Sequence, residues 1–435
     1  MRKNIKLIAL LVASVFLVFT IGCAKEVEGS DEDVLRGDAK GQSEESINED
    51  DDGTVVLKFW SWFSYENIIR EFEKENEGIK VEQQLFEFGK CEEAYMEAIT
   101  KGEGPDVLIL DSSFFGTFTA SGILQDLLQE PFSAGKYKDD FLGWESGFSV
   151  NNDELLALTI NTSPYVTIYR ADIMEEYGFP HEPEEFGEFI KEPENILEIA
   201  RKLKEDDKYI FHFPTDLPDL VGGTLGFFNE KLEYTRFGDL FELALNMAKE
   251  TYQNELESKV NFWGESGEEA VKENRLVMIT AGSYAMSNIR RYAPEQSGLW
   301  RVTTPPLGVA SWASDSKIAI NSQSEHKEEA WRLVEHIATH KSFRQHIDVV
   351  PGYIPIHGDE INTTREEEYF GNQIVYPLLE ELAINMVQYR LTPFDSQALQ
   401  MYRDGVWQAV GSSSPAKVHI EKMKKEIEAA VKLTQ

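Results

Sequence analysis

The residues of this chain with chemistry to offer are flat rings and short polar groups. Trp60, Trp62 and Phe63 fall together in FWSWF, at the end of an extended run. Indole faces suit the apolar C–H side of a sugar ring. Trp60 and Trp62 share a face only while the strand stays extended, so one can serve the core while the other meets a ligand; Trp62 is the expected ligand-facing ring. Asp111 closes a short apolar run and is followed by Ser112 and Ser113. Its carboxylate can accept paired hydrogen bonds from ligand hydroxyls, or cap the helix that follows. Asn161, Thr162 and Ser163 precede Pro164 between two apolar runs, where amide and hydroxyl groups suit a ligand or a strand crossing. Ser283 and Tyr284 open a helix after a strand, and free N–H groups there can receive a ligand oxygen. Trp312 in GVASWASDSK is a further candidate ring; Tyr169 and Tyr353 can face a ligand or pack as ordinary aromatics.

Other chemistries find little support. His336 and His340 stand four apart, a metal-like spacing, but Ile337 follows His336, so the motif is not HExxH. They read as part of a solvated helix face, and His346 does not share it. The chain has no Gly-rich phosphate loop, no G-x-S-x-G and no Cys/His zinc spacing, so neither cofactor nor metal is expected. Acidic pairs are frequent enough that composition leaves a two-carboxylate hydrolase of carbohydrates open, yet none stands out. Cys91 lacks a histidine partner and reads as an idle thiol.

The first residues set the compartment. Arg2, Lys3 and Lys6 precede an unbroken apolar run over 7–21, then Gly22 and Cys23. This is the form of a secretory signal, too short for comfort as a permanent membrane span. TIGC resembles the lipobox of bacterial lipoproteins, with Thr20 where leucine is usual, so residues 1–22 are expected to be removed and Cys23 to carry lipid. Residues 26–53 hold twelve acidic residues against Arg36 and Lys40 and almost no large apolar ones. Such a segment buries too little to offset its ordering entropy and reads, over 23–53, as an anchor and disordered tether. The formal net charge of −35 argues against nucleic acid and anionic membrane surfaces, which need basic patches, and suits solubility after export. A cationic ligand would need the acids concentrated at its site.

The remaining residues, 54–435, exceed one ordinary core, so two lobes are expected. Strands are expected at 54–60, 79–86, 106–111, 275–280 and 316–321, with helices at 65–76, 92–100, 114–128, 194–206, 236–258, 267–274, 325–347, 366–389, 397–410 and 415–432. Two strand-like runs flank residues 161–164. The opening strand–helix alternation predicts a mainly parallel sheet covered by helices.

Several stretches resemble the family 1 bacterial extracellular solute-binding proteins, in order, from about residue 54 onward: TVVLKFWSWFSYENIIREFEKENEGIKVEQQ, EAITKGEGPDVLILDSSFFG, SGILQDL, NTSPYVTIYRADIMEEYGFP, ENRLVMITAGSYAMSNI, and SKIAINSQSEHKEEAWRLVEHIATHKSFRQHIDVVPGYIPIH. The chain departs from the family at Arg170, where asparagine is usual. The resemblance implies a two-lobed α/β periplasmic-binding-protein-like fold with a ligand cleft at the hinge. Residues 54–159 with about 315–358 would form one lobe, and about 160–314 with 359–435 the other. Crossings would lie near Leu158–Asn161 and Ala310–Lys317. It further implies a monomeric binding protein, not an enzyme. Held by lipid at the outer face of a cell membrane or in the periplasm, such a protein captures a solute, most plausibly a sugar, for the membrane subunits of an ABC importer. A polyamine or peptide ligand and a sensing or scaffolding role are the other readings.

Overall fold

A computed structural model describes residues 53–119, 122–150, 153–345 and 348–434. The signal segment, Cys23 and most of the acidic tether lie outside the described residues, as does His346.

The first strand, β1 (Val55–Ser61), is β-branched and aromatic and buries Leu57, Phe59 and Ser61 on one face. Helix α1 (Glu66–Glu75) buries Ile68, Ile69 and Phe72 against it. Strand β2 (Ile79–Leu85) then pairs parallel with β1 from Val55–Ile79 to Ser61–Leu85. Helix α2 (Cys91–Lys101) stops at Gly102, which adopts the left-handed conformation that ends many helices. Strand β3 (Val107–Asp111) is buried throughout and joins β1 in parallel.

From there the sheet is mixed. Strand β4 (Leu158–Arg170) runs for 13 residues, and β5 (Met278–Gly282), β6 (Trp300–Thr303), β7 (Trp312–Ile320) and β8 (Val350–Pro351) follow. The sheet order is β2-β1-β3-β7-β4-β5, with β6 and β8 also paired to β4. The parallel pairing expected from the opening rhythm holds for β1 with β2 and β3. Strand β7 lies antiparallel to both β3 and β4, and β5, β6 and β8 are antiparallel to β4. Strand β4 is therefore common to two sheet regions. Leu158–Pro164 pairs with β7, and Tyr165–Arg170 pairs with β5 and β6. Proline cannot donate to a ladder, and Pro164 sits where the β4–β7 register shifts. The two expected runs around 161–164 are one strand, irregular at the proline.

Helices close the faces. The chain continues through α3 (Ser112–Phe118), α4 (Pro193–Lys204), α5 (Asp216–Gly222), α6 (Asp239–Gln253), α7 (Ala285–Tyr292), α8 (Lys327–Ala338), α9 (Tyr376–Asn385), α10 (Asp395–Val410) and α11 (Ala416–Thr434). Leu57, Phe59 and Phe72 share a core with Trp331 and Ile337 of α8. Tyr169 and Ile199 anchor a second core. Ala244, Tyr402 and Ile427 join α6, α10 and α11 in a third.

The helix expected over 114–128 covers only Ser112–Phe118. Leu124 and Leu127 are buried, but Leu124 lies beside Asn321 as an extended bridge. Its apolar character reports burial, not helical period. The expected helix over 366–389 begins only at Tyr376, with Pro377 in its first turn, a position where a missing N–H costs nothing.

Candidate ligand cleft

The strand ends and helix starts converge on a cleft of about 1400 Å³. One wall comes from the turn after β1. Ser61 Oγ donates to the Phe63 carbonyl at 2.8 Å. Gln83 of β2 ties the turn down, donating through Nε2 to Ser61 Oγ at 2.6 Å and to Phe63 O at 2.7 Å. It also accepts from Tyr65 N–H at 3.1 Å. So held, Trp62 stands edge-on to Phe88 at 5.4 Å and Phe114 at 6.0 Å between centroids, and Phe63 is 60% exposed. Trp62 and Phe63 line the cleft. Trp60 does not; it packs on Phe86 and Tyr95, 4.8 and 5.4 Å away.

The facing wall carries Trp263, 48% exposed, inclined 36° to Tyr284 with centroids 5.6 Å apart. Both reach the cleft, as do Ser287 and Asn288 of α7. Between the walls Trp312 meets Tyr389 edge-on at 4.8 Å. Trp312 is 4% exposed, so it forms floor rather than platform.

Polar groups stand among these rings. Asp111 Oδ1 accepts the Ser113 N–H at 2.8 Å, capping α3, while Oδ2 accepts from Ser314 Oγ at 2.8 Å. Cap and cleft residue are thus one side chain. Burial pushes its carboxyl up, against those hydrogen bonds. Asn161 and Ser163 of β4 and Ser314 and Ser316 of β7 line the same floor.

Six sequence-predicted residues therefore meet at the cleft: Trp62, Asp111, Asn161, Ser163, Tyr284 and Trp312. Three others besides Trp60 lie elsewhere. Tyr169 is buried, stacks on Phe186 at 4.1 Å and donates to His181 O at 2.8 Å. Ser283 is buried and donates to Asp348 O at 2.6 Å, joining the end of β5 to the segment before β8. Tyr353 packs on Phe141 at 5.3 Å. His336 faces Glu75 and His340 faces Glu71, at 3.6 and 3.0 Å; among the described residues no group of three or more His, Cys, Asp or Glu could hold a metal.

The sequence reading missed Trp263, Arg236, Asp219, Asp395 and Arg403, all lining the cleft. No motif marks them. They come from four separate segments, and only the Gly264 break after Trp263 hinted at an exposed ring.

This mixed α/β architecture is that of the periplasmic-binding-protein fold. A crystal structure described as an extracellular solute-binding protein family 1 member is similar at TM-score 0.75 and 16% identity, over 86% of this chain and 99% of that one. The galacto-N-biose-/lacto-N-biose I-binding protein of an ABC transporter from Bifidobacterium longum, in complex with lacto-N-biose, reaches 0.70 at 18%, over 88% and 98%. An ABC-transporter-associated binding protein from B. animalis subsp. lactis Bl-04, in complex with beta-1,6-galactobiose, reaches 0.67 at 20%, over 86% and 97%. The model of the bacterial extracellular solute-binding protein family matches residues 67–361, and the chain belongs to that family. Its members bind solutes rather than transform them, so the hydrolase reading is set aside.

Proposed function

We propose that this chain captures an oligosaccharide in the cleft and passes it to the membrane subunits of an ABC importer. The observation that carries the reading is the pair of facing aromatic walls, Trp62 with Phe63 and Trp263 with Tyr284, around a floor of carboxylate, amide and hydroxyl groups. Rings offer apolar faces to sugar C–H groups, and the short polar side chains fix hydroxyls and hence specificity. Two structurally similar proteins named above were solved with disaccharides bound, which supports the choice of ligand class. The reading assigns Trp62, Asp111, Asn161, Ser163, Tyr284 and Trp312 to the ligand and adds Trp263.

In this reading the lobes are residues 54–159 with about 315–358, and about 160–314 with 359–435. They close about β4 and β7, a hinge motion of the usual kind. The protein acts as a monomer, tethered through lipid on Cys23 at the outer face of the cell membrane. The importer supplies the ATP chemistry.

The test is a thermal-shift screen of the full chain against oligosaccharides, polyamines and short peptides. A ligand at about a hundred times its dissociation constant adds roughly 2.7 kcal/mol, worth a few degrees in melting temperature. Stabilisation by an oligosaccharide is expected, weakened about tenfold or more in affinity by Trp263→Ala. Because Trp263 is half exposed, that change leaves the unliganded melting point within a degree or so. Stabilisation by spermidine or peptides alone would discard the sugar.

A further inference from the structure

One end of the cleft is charged. Arg236 is 6% exposed yet lines the cleft. Its guanidinium lies 3.4 Å from the centroid of Phe227 and 5.7 Å from that of Tyr402. Nε donates to Leu225 O at 3.2 Å, and Nη2 reaches Tyr389 Oη at 3.5 Å. That engages two of its five N–H donors. Gly222 makes the seat: a Cβ there would stand 2.9 Å from Nη1.

Among the described residues no carboxylate is paired with Arg236. Asp219 and Asp395 lie close enough to feel its charge, but neither makes an ion pair with it. Asp219 takes a two-point contact from Arg403, at 3.2 Å from Nε and 3.1 Å from Nη2. Asp395 accepts the Thr392 N–H. Of the other acids on the cleft wall, Asp111 is bound by Ser113 and Ser314, Asp348 is paired with Arg290 and Glu87 with Lys90. Leaving a buried cation without a carboxylate at contact distance is costly. A planar fork with unused donors, at the wall of a cleft, is the arrangement that receives a carboxylate in two-point fashion.

We propose that the ligand of this cleft carries a carboxylate, as a uronic-acid-containing oligosaccharide does, and that Arg236 receives it while the aromatic walls hold the sugar rings. This rests on the carbohydrate reading above. Leu225 O, Tyr389 and the Phe227 ring hold the guanidinium in place, while Asp219 and Asp395 stay nearby without pairing with it.

The test uses matched pairs of di- to tetrasaccharides, each neutral sugar beside the same sugar oxidised to the carboxylate at C6, by thermal shift and then titration calorimetry on the full chain. The uronate of at least one pair is expected to bind more tightly than its neutral partner. Arg236→Gln is expected to weaken the uronate roughly 30-fold or more, as loss of a buried charge contact does, and the neutral partner no more than a few-fold. Arg236→Lys keeps the charge and loses the fork. It should fall about tenfold, and it serves if the glutamine variant does not fold. A neutral sugar that binds as well as its uronate, or uronate binding indifferent to both variants, overturns the assignment of Arg236 and leaves the carbohydrate reading intact. Failure of every sugar, while another ligand class stabilises the protein, removes both.

Discussion

At Asp395 one side chain joins cleft and stability. It is half-buried at the start of α10, and burial raises its carboxyl to about 6, against the Thr392 hydrogen bond and the charge of Arg236. Tyr389 and Arg236 are the titratable and charged groups beside it. A carboxyl whose folded value lies above its unfolded one favours the native state below the unfolded value, near 4, and loses that contribution as pH rises through about 6. Wild-type stability is therefore expected to drop between pH 4.5 and 7.5 by roughly 1–3 kcal/mol on this account. Asp395→Asn, which keeps an oxygen for Thr392 N–H, should flatten that segment of the curve. Urea unfolding at the two pH values checks it; equal pH dependence in both proteins would exclude Asp395 as the source.

At the scale of elements, β7 does two jobs. Its outer positions Ser314 and Ser316 line the cleft, while Asp315 and Lys317 are buried as an ion pair at 2.6 Å, both side chains 0% exposed. Lys317 Nζ also donates to Ser146 Oγ at 2.6 Å and Thr159 Oγ1 at 3.3 Å. Burial pushes the Asp315 carboxyl up and the Lys317 ammonium down, each opposed by the partner's charge. The network pins β7 to β4 and to the turn around Ser146, just beneath Asp111. Removing one member strands the other: Lys317→Met is expected to cost about 3–5 kcal/mol in urea unfolding, and the double change Asp315→Leu/Lys317→Met distinctly less. A double variant as unstable as the single one would mean that packing, and not the stranded charge, sets the cost. Tight approach matters here as well. A Cβ on Gly116 of α3 would sit 2.3 Å from Thr392 O, so this helix and the segment leading to Asp395 meet at a distance only glycine allows.

At the scale of the molecule, the acidity of the chain bears on the proposed attachment. A net charge of −35 gives the chain no electrostatic attraction to anionic lipid headgroups, so retention at a membrane would rest on the proposed lipid at Cys23. Cys23→Ala is expected to move the protein from the membrane fraction of expressing cells to the medium or soluble fraction, read by fractionation and immunoblot. Unchanged retention would remove the lipid at Cys23 from the picture. A single acyl chain anchors only marginally, so retention through Cys23 also implies more than one chain there.

The local sequence was enough for the opening strands and helices, because residues such as Leu57, Phe59, Ile68 and Phe72 satisfy period and burial together within a few positions. It also brought out the FWSWF turn, Asp111 and the 161–163 segment, since the first two end strands and the third lies at an expected strand crossing. It favoured Trp62 over Trp60 as the ligand-facing ring, and the packing of Trp60 on Phe86 and Tyr95 supplies the physical reason the local pattern lacked. It misjudged 114–128, where burial of Leu124 against Asn321 imitated a helical stripe. The charged end of the cleft was out of reach altogether. Arg236 depends on Gly222, Phe227, Tyr389 and Tyr402 for its setting. A pairing between residues more than a hundred positions apart is fixed by the packing of whole elements, which no local pattern encodes.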